Sequence, residues 1–144
     1  EPKTGGGQCP PGGLEMSKFY EKGVRFERDL VTRFWDNGWA AVRAAGSGTV
    51  SFPVPDVLAV KGGRVILVEC KVTKEDKMNF KKAVLSLKKF GLIANAKAYL
   101  AVKFLRKEPC FFDIDDMIID ERYTVSASDP CLSFEALIGQ QKTL

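Results

Sequence analysis

Two carboxylates and a lysine stand in a pattern that could bind a metal ion and cleave a phosphodiester. Asp56 follows Pro55, and Glu69 precedes Lys71 by two positions. Around Gly62-Gly63 the chain reads as a strand, a tight turn and a second strand, which is the pattern of an antiparallel hairpin. Such a hairpin would bring Asp56 and Glu69 to the same end of the sheet. Strand periodicity would point Glu69 and Lys71 to one face.

That arrangement suits metal-assisted hydrolysis. Carboxylates are the ligands that a hard cation such as Mg²⁺ prefers, and Mn²⁺ is a possible substitute. The cation makes bound water more acidic and neutralises charge on the phosphate. Lys71 would orient the attacking water, stabilise the transition state or act as a base, and the sequence leaves these roles open. The alternative is a pair of surface carboxylates beside a lysine. A charged pair within the apolar stretch Val65–Val72 favours the metal site, because burying charge is costly.

Histidine is absent from the sequence. Its absence excludes Ser-His-Asp and Cys-His nucleophiles, histidine-dependent nucleases and zinc hydrolases with histidine ligands. The glycine motifs of phosphate loops and of dinucleotide-binding folds are missing as well. Any catalysis must therefore use carboxylates, lysine, hydroxyl groups or a bound metal.

The positive charge is concentrated in one part of the chain. Residues 18–106 hold 18 Lys and Arg against 8 Asp and Glu, whereas residues 107–144 hold 3 against 8. A body this basic indicates a polyanionic partner, because phosphate neutralisation dominates the affinity of proteins for nucleic acid. A solvated lysine-rich surface is the alternative, and charge by itself does not separate the two.

Length and composition predict one domain. The 144 residues are 45% hydrophobic, enough for a core. Residues 1–15 hold five glycines and three prolines. We expect them to form a flexible leader, either a remnant of cloning or a native arm, ahead of a single domain over residues 16–144. Without a signal peptide or membrane span, we expect a cytoplasmic protein whose four widely spaced cysteines are reduced.

Hydrophobic periodicity predicts a mixed α/β sheet flanked by helices, in the approximate order αβββαββ, with a short apolar helix near the end of the chain. The apolar run Val65–Val68 is typical of a central strand that is covered on both faces. The predicted helices are Lys18–Trp35, Glu75–Phe90 (ended by Gly91) and Phe134–Ile138, and the predicted strands are Trp39–Ala45, Asp56–Val60, Val65–Val72, Lys97–Leu105 and Cys110–Ile114.

Four further residues are candidates for the same site. Glu27, on the first helix, is either a solvated residue or a third carboxylate at the sheet end. Arg28 and Arg43 form surface salt bridges or contact phosphates. Ser47, between two glycines, is a turn residue or a hydrogen-bond donor to the scissile phosphate.

The sequence resembles the archaeal Holliday junction resolvases over almost everything from Lys18 onward. Several separate motifs in the same order make the resemblance specific. These are Lys22-Gly23-x-x-Phe26-Glu27-Arg28-Asp29-Leu30, Val42-Arg43-x-Ala45-Gly46-Ser47, Pro55-Asp56, Val68-Glu69-x-Lys71-Val72, Leu100-Ala101-Val102-Lys103-Phe104, and Ser133-Phe134-Glu135 through Gln141-Lys142-Thr143-Leu144.

The resemblance implies a fold of the restriction-endonuclease type, in the PD-(D/E)xK nuclease superfamily. It also implies a Mg²⁺-dependent homodimer that nicks two opposed strands of a four-way DNA junction during recombination and repair. Protein partners are not identifiable from it. By this resemblance, Glu27, Asp56 and Glu69 are metal or catalytic carboxylates, and Lys71 is the catalytic lysine. Ser47, with Ser51 as the alternative, is a catalytic-loop serine that also contacts DNA. Arg28 and Arg43 contact phosphates.

Two other functions remain open at this point. One is a nuclease of the same fold that acts on flaps, nicks or foreign DNA. The other is a DNA-binding protein of that fold without catalytic activity, which the intact set of Asp56, Glu69 and Lys71 argues against.

Overall fold

The structure is a computed structural model of the chain and describes residues 11–46 and 51–142. Within these residues no helix is long and apolar enough to cross a membrane. The elements in chain order are α1 (Pro11–Asp36), β1 (Ala40–Arg43), β2 (Val57–Lys61), β3 (Arg64–Thr73), β4 (Lys77–Asn79), α2 (Lys81–Ala94), β5 (Lys97–Phe104), β6 (Cys110–Asp113), α3 (Ile114–Ile119), β7 (Thr124–Ser126) and α4 (Phe134–Lys142).

Five strands form a mixed sheet in the order β1-β2-β3-β5-β6. β3 pairs in parallel with β5, and the other neighbours are antiparallel. Strands β4 and β7 form a separate two-stranded sheet. The mixed sheet flanked by helices confirms the fold class predicted from the sequence.

The two faces of the sheet carry two separate cores. On one face, α1 and α4 pack over the side chains of Ile66, Val68 and Cys70. On the other face, α2 and α3 pack over Leu67 and the inward residues of β5. Both faces of β3 are therefore covered, which explains its continuous apolar run and confirms it as the central strand.

The hairpin that positions the site has the predicted form. Val57 pairs with Val68, and Lys61 pairs with Arg64. Gly62 and Gly63 take positive φ angles of 55° and 81°, as a two-residue hairpin turn of the I′ type requires. Residue 56 therefore lies beside the carboxyl-terminal half of β3.

The helix boundaries differ from the prediction. α1 begins at Pro11, so residues 11–15 of the expected leader are helical backbone, and proline is well tolerated in the first turn of a helix. α2 begins at Lys81, after β4, and Gly91 does not end it. Gly91 is buried within the helix close to the β5 side chain of Ala98. The helix ends instead at Asn95, which adopts the left-handed conformation.

The segment after residue 110 holds more structure than its pattern indicates. α3 and β7 were not predicted, whereas α4 confirms the short apolar helix. The expectation of reduced thiols is wrong for Cys110 and Cys131, which form a disulfide with Cα atoms 5.4 Å apart. Phe111 and Leu132 form an antiparallel bridge that brings the two cysteines together.

Candidate active site

Asp56 is held at the start of β2 by hydrogen bonds on every side. Its backbone N–H donates to Val68 O at 3.1 Å, and its carbonyl accepts from Ala44 N at 2.8 Å. Its carboxylate Oδ2 accepts from the backbone N–H of Cys70 at 2.9 Å, and the residue is only 7% exposed. This fixed carboxylate beside β3 confirms the position predicted from the hairpin.

Glu69 and Lys71 project from β3 on one face, as strand periodicity predicts. Lys71 Nζ lies 3.6 Å from Glu69 Oε2, and the side chain of Glu69 is 20% exposed. Burial raises the pKa of Glu69 from 4.5 to about 7. The negative charge of Asp56 adds to this rise, and the positive charge of Lys71 opposes it. Two carboxylates therefore share one small, partly desolvated space, which favours the protonated form of Glu69.

Glu27 reaches the same end of the sheet from α1. Its Oε1 accepts a hydrogen bond from Arg43 Nη1 at 2.9 Å, and both side chains are largely buried. Burial raises the pKa of Glu27, and the hydrogen bond from Arg43 opposes that effect. The charges of Asp56 and Lys71 also act on Glu27, so these groups lie within electrostatic reach of one another. The structure thus brings together Glu27, Asp56, Glu69 and Lys71, although their catalytic roles remain predictions.

Arg43 reaches Glu27 because β1 pairs with β2. Arg43 is the partner of Val57 in that pairing, which places it at the end of β1 beside the start of β2. Of its two predicted alternatives, a salt bridge and a phosphate contact, the structure contains the salt bridge.

The carboxylates fit a hard divalent cation. Asp56 and Glu69 would supply oxygen ligands; burial and then the charge of Asp56 raise the pKa of Glu69, and a bound cation would offset both effects. Among residues 11–46 and 51–142, no three Asp, Glu or Cys side chains stand close enough together to form a ready-made metal site. One carboxylate oxygen of Glu27, Oε1, already accepts a hydrogen bond from Arg43.

Two predicted DNA-contacting residues have different outcomes. Arg28 is exposed on α1, a position open to a phosphate. Ser47 lies outside the described residues, so its role stays a prediction. Ser51 is described and exposed.

Sequence reasoning missed a group of cations beside the site. Lys22, Arg25 and Lys74 lie around the exposed side of Phe19, between α1 and the end of β3. Each looks like an ordinary surface residue in its own segment. The turn of α1 brings Lys22 beside Phe19, and the packing of α1 against the sheet adds Lys74.

A mixed sheet with Pro-Asp at the start of β2 and Glu-x-Lys on its partner strand defines the restriction-endonuclease-like class of nucleases. Comparison with known proteins narrows this class. The family profile described as archaeal Holliday junction resolvase (hjc) matches residues 18–144. The chain belongs to this family.

Individual relatives agree with that assignment. The chain is 42% identical over 94 residues to the crossover junction endodeoxyribonuclease Hjc of Archaeoglobus fulgidus, a match that covers 65% of this chain and 69% of the relative. It is 34% identical over 136 residues to the enzyme of that name from Methanocaldococcus jannaschii, covering 90% and 96% of the two chains. The crystal structure of Archaeoglobus fulgidus Hjc, described as a Holliday junction resolvase, superposes with a TM-score of 0.71 at 34% identity over 81% of this chain and 98% of that one.

Proposed function

We propose that the protein is a Mg²⁺-dependent endodeoxyribonuclease that resolves four-way DNA junctions by paired nicks in opposed strands. The observation that carries this proposal is the convergence of Asp56, Glu69 and Lys71 at the end of a covered sheet. Buried, mutually repelling carboxylates beside an ammonium are costly to stability, and a metal-dependent hydrolytic site accounts for that cost. The relatives named crossover junction endodeoxyribonuclease support the choice of substrate.

Asp56 and Glu69 would hold the cation, which when bound supplies a more acidic water and charge neutralisation at the phosphate. Asp56 is suited to this role because the amide of Cys70 fixes the direction of its carboxylate. Glu69 must lose its proton to become a ligand, so its raised pKa links metal affinity to pH.

The remaining polar groups would orient water and the DNA strand and neutralise charge on the phosphate. Lys71 lies close enough to Glu69 to place its ammonium beside the attacked phosphate and to stabilise the added negative charge. Arg43 holds Glu27 toward the site, and Glu27 would order water around the cation. Arg28 would bind a neighbouring phosphate of the same strand.

We propose further that the enzyme works as a homodimer in the cytoplasm. One site cuts one strand, and a junction is resolved only when two opposed strands are cut. A twofold-symmetric pair of subunits supplies two such sites.

A panel of labelled DNA substrates tests the proposal. Four-way junction, flap, nicked duplex and intact duplex DNA would each be incubated with the protein in Mg²⁺ and in EDTA. We expect paired symmetric nicks in the junction, in Mg²⁺ alone. Equal cutting of flaps or duplex would identify a different nuclease of this fold. Binding without any cutting would identify a DNA-binding protein.

A further inference from the structure

A cavity of about 240 Å³ lies next to the candidate active site and takes no part in the chemistry described above. It is enclosed by the middle of α1, from Phe19 to Asp29, and by the carboxyl ends of β3 and β5 with the residues that follow them. Phe19, Phe26, Val72, Phe104 and Leu105 form its apolar walls. Ligand pockets for drug-sized molecules measure about 300–1,000 Å³, so this cavity fits one small flat group and little more.

The rim of the cavity is strongly basic. Among the described residues that line it, five are cationic and one, Asp29, is acidic. Arg25 and Arg106 are exposed and form no ion pair with any described residue. The cationic residues of the rim are Lys22, Arg25, Lys74, Lys103 and Arg106.

Phe19 stands between the apolar walls and the basic rim. Its ring centroid lies 5.6 Å from Lys22 Nζ and 5.5 Å from Lys74 Nζ, and its side chain is half-buried. An aromatic ring flanked by ammonium groups offers a stacking surface and a phosphate contact within one short span. These are the two components of sequence-independent binding to unpaired nucleotides.

The cavity and the candidate active site are neighbours along the same two elements, with Val72 facing α1 and with Glu69 and Lys71 on the opposite face of β3. Val72 directly follows Lys71 on β3, and Phe26 directly precedes Glu27 on α1. A strand rises about 3.3 Å per residue, and each nucleotide adds about 3.4 Å along a duplex. Val72 lies three residues beyond Glu69, so a DNA strand whose scissile phosphate meets Glu69 would reach the cavity after about three nucleotides.

A base that remains paired and stacked in a duplex cannot enter such a cavity. Removing it from the stack costs a few kcal/mol, and the cost is least where stacking is already interrupted. The branch point of a four-way junction is such a place. We propose that the cavity is a nucleotide pocket that takes one unstacked base beside the branch point. Phe19 stacks on the base, and Lys22, Arg25 and Arg106 hold the adjoining phosphates.

This inference rests on the proposed function for its substrate, and it is tested by binding in EDTA, where no cleavage occurs. The probe is a four-way junction that carries 2-aminopurine at successive positions from the branch point, because this base becomes fluorescent when it leaves the stack. We expect the wild-type protein to raise the fluorescence at one or two positions only. Phe19→Ala should abolish that rise and weaken junction binding about tenfold, without weakening binding to duplex DNA.

Two single variants separate stacking from folding, and a double variant tests the phosphate contacts. Phe19→Trp retains a stacking ring and should keep junction affinity within about threefold of wild type. Tyr20→Ala removes an exposed aromatic ring that lies outside the cavity lining and should have no effect. The double variant Lys22→Ala/Arg25→Ala should reduce the slope of log affinity against log salt by about 2, one for each lost phosphate contact.

Three results would overturn the nucleotide pocket. One is equal loss of junction and duplex affinity in Phe19→Ala, and another is a fluorescence rise that persists in that variant. The third is the absence of any rise on wild-type binding. Failure of the proposed function would be distinguishable from failure of the nucleotide pocket. A protein that unstacks the base through Phe19 but never cuts a junction in Mg²⁺ would contradict the nuclease assignment and support the pocket.

Discussion

Replacing Glu69 with Gln should stabilise the metal-free protein at neutral and alkaline pH. Burial, with the charge of Asp56 adding to it and that of Lys71 opposing it, raises the pKa of Glu69 from 4.5 to about 7. The folded protein therefore binds this proton more tightly than the unfolded chain does. The resulting contribution to stability is fully present below about pH 4.5 and is lost as the pH rises through 7.

The magnitude follows from the two pKa values. At about 1.4 kcal/mol for each tenfold change in proton affinity, the rise corresponds to about 3 kcal/mol. Gln remains neutral at every pH, so Glu69→Gln should match the wild type near pH 4 and exceed it by about 3 kcal/mol at pH 8. For a domain of this size the difference is roughly 10 °C in Tm.

The assay is thermal unfolding in EDTA from pH 4 to pH 8 for the wild type, Glu69→Gln and the control Glu75→Gln, which alters an exposed carboxylate. Magnesium should reverse the order of the two Tm values at pH 8, because it would stabilise only the wild type, which retains the proposed ligand Glu69. Parallel Tm curves for the wild type and Glu69→Gln would refute the reasoning. A gain in Glu75→Gln equal to that of Glu69→Gln would refute it as well.

Three other predictions concern the surroundings of the site. Arg43→Ala should slow junction cleavage at least tenfold but change junction affinity in EDTA less than about threefold, because Arg43 binds Glu27; a tenfold loss of affinity would instead make it a DNA contact. Arg28→Ala should weaken binding to junction and duplex alike and lower the salt slope by about 1; an unchanged slope would remove Arg28 from the phosphate contacts. Under oxidising conditions the free energy of unfolding of Cys110→Ser/Cys131→Ser should be about 3 kcal/mol lower than that of the wild type, since the disulfide spans a sequence separation of 21 residues. Dithiothreitol should lower the wild type to the same value. Equal stability of the two proteins without reductant would contradict the prediction.

The central hairpin could be predicted because its determinants are local. The two-residue turn at Gly62-Gly63 fixes the register of β2 and β3, and the register alone sets Asp56 beside Glu69. Lys71 follows from the twofold period of a strand. These features depend on few residues and on no distant packing.

The contacts that could not be predicted depend on packing between distant segments. The bond of Arg43 to Glu27 requires α1 to lie against the end of β1, which no local pattern specifies. The Cys110–Cys131 disulfide requires the bridge between Phe111 and Leu132. Gly91 resembles a helix stop in the sequence, yet its small size serves close packing of α2 on the sheet. The contact of Lys74 with Phe19 likewise depends on the packing of α1 against the sheet.

The most direct test of the catalytic assignment is the single-turnover rate of junction cleavage in Mg²⁺ for Asp56→Asn, with junction affinity measured in EDTA. Asp116→Asn is the matched control, because Asp116 is an exposed carboxylate on α3, outside the site. We expect Asp56→Asn to cut at least about 100-fold more slowly than wild type while binding the junction as tightly, and Asp116→Asn to cut at the wild-type rate. Cleavage by Asp56→Asn at the wild-type rate would contradict the assignment of the site.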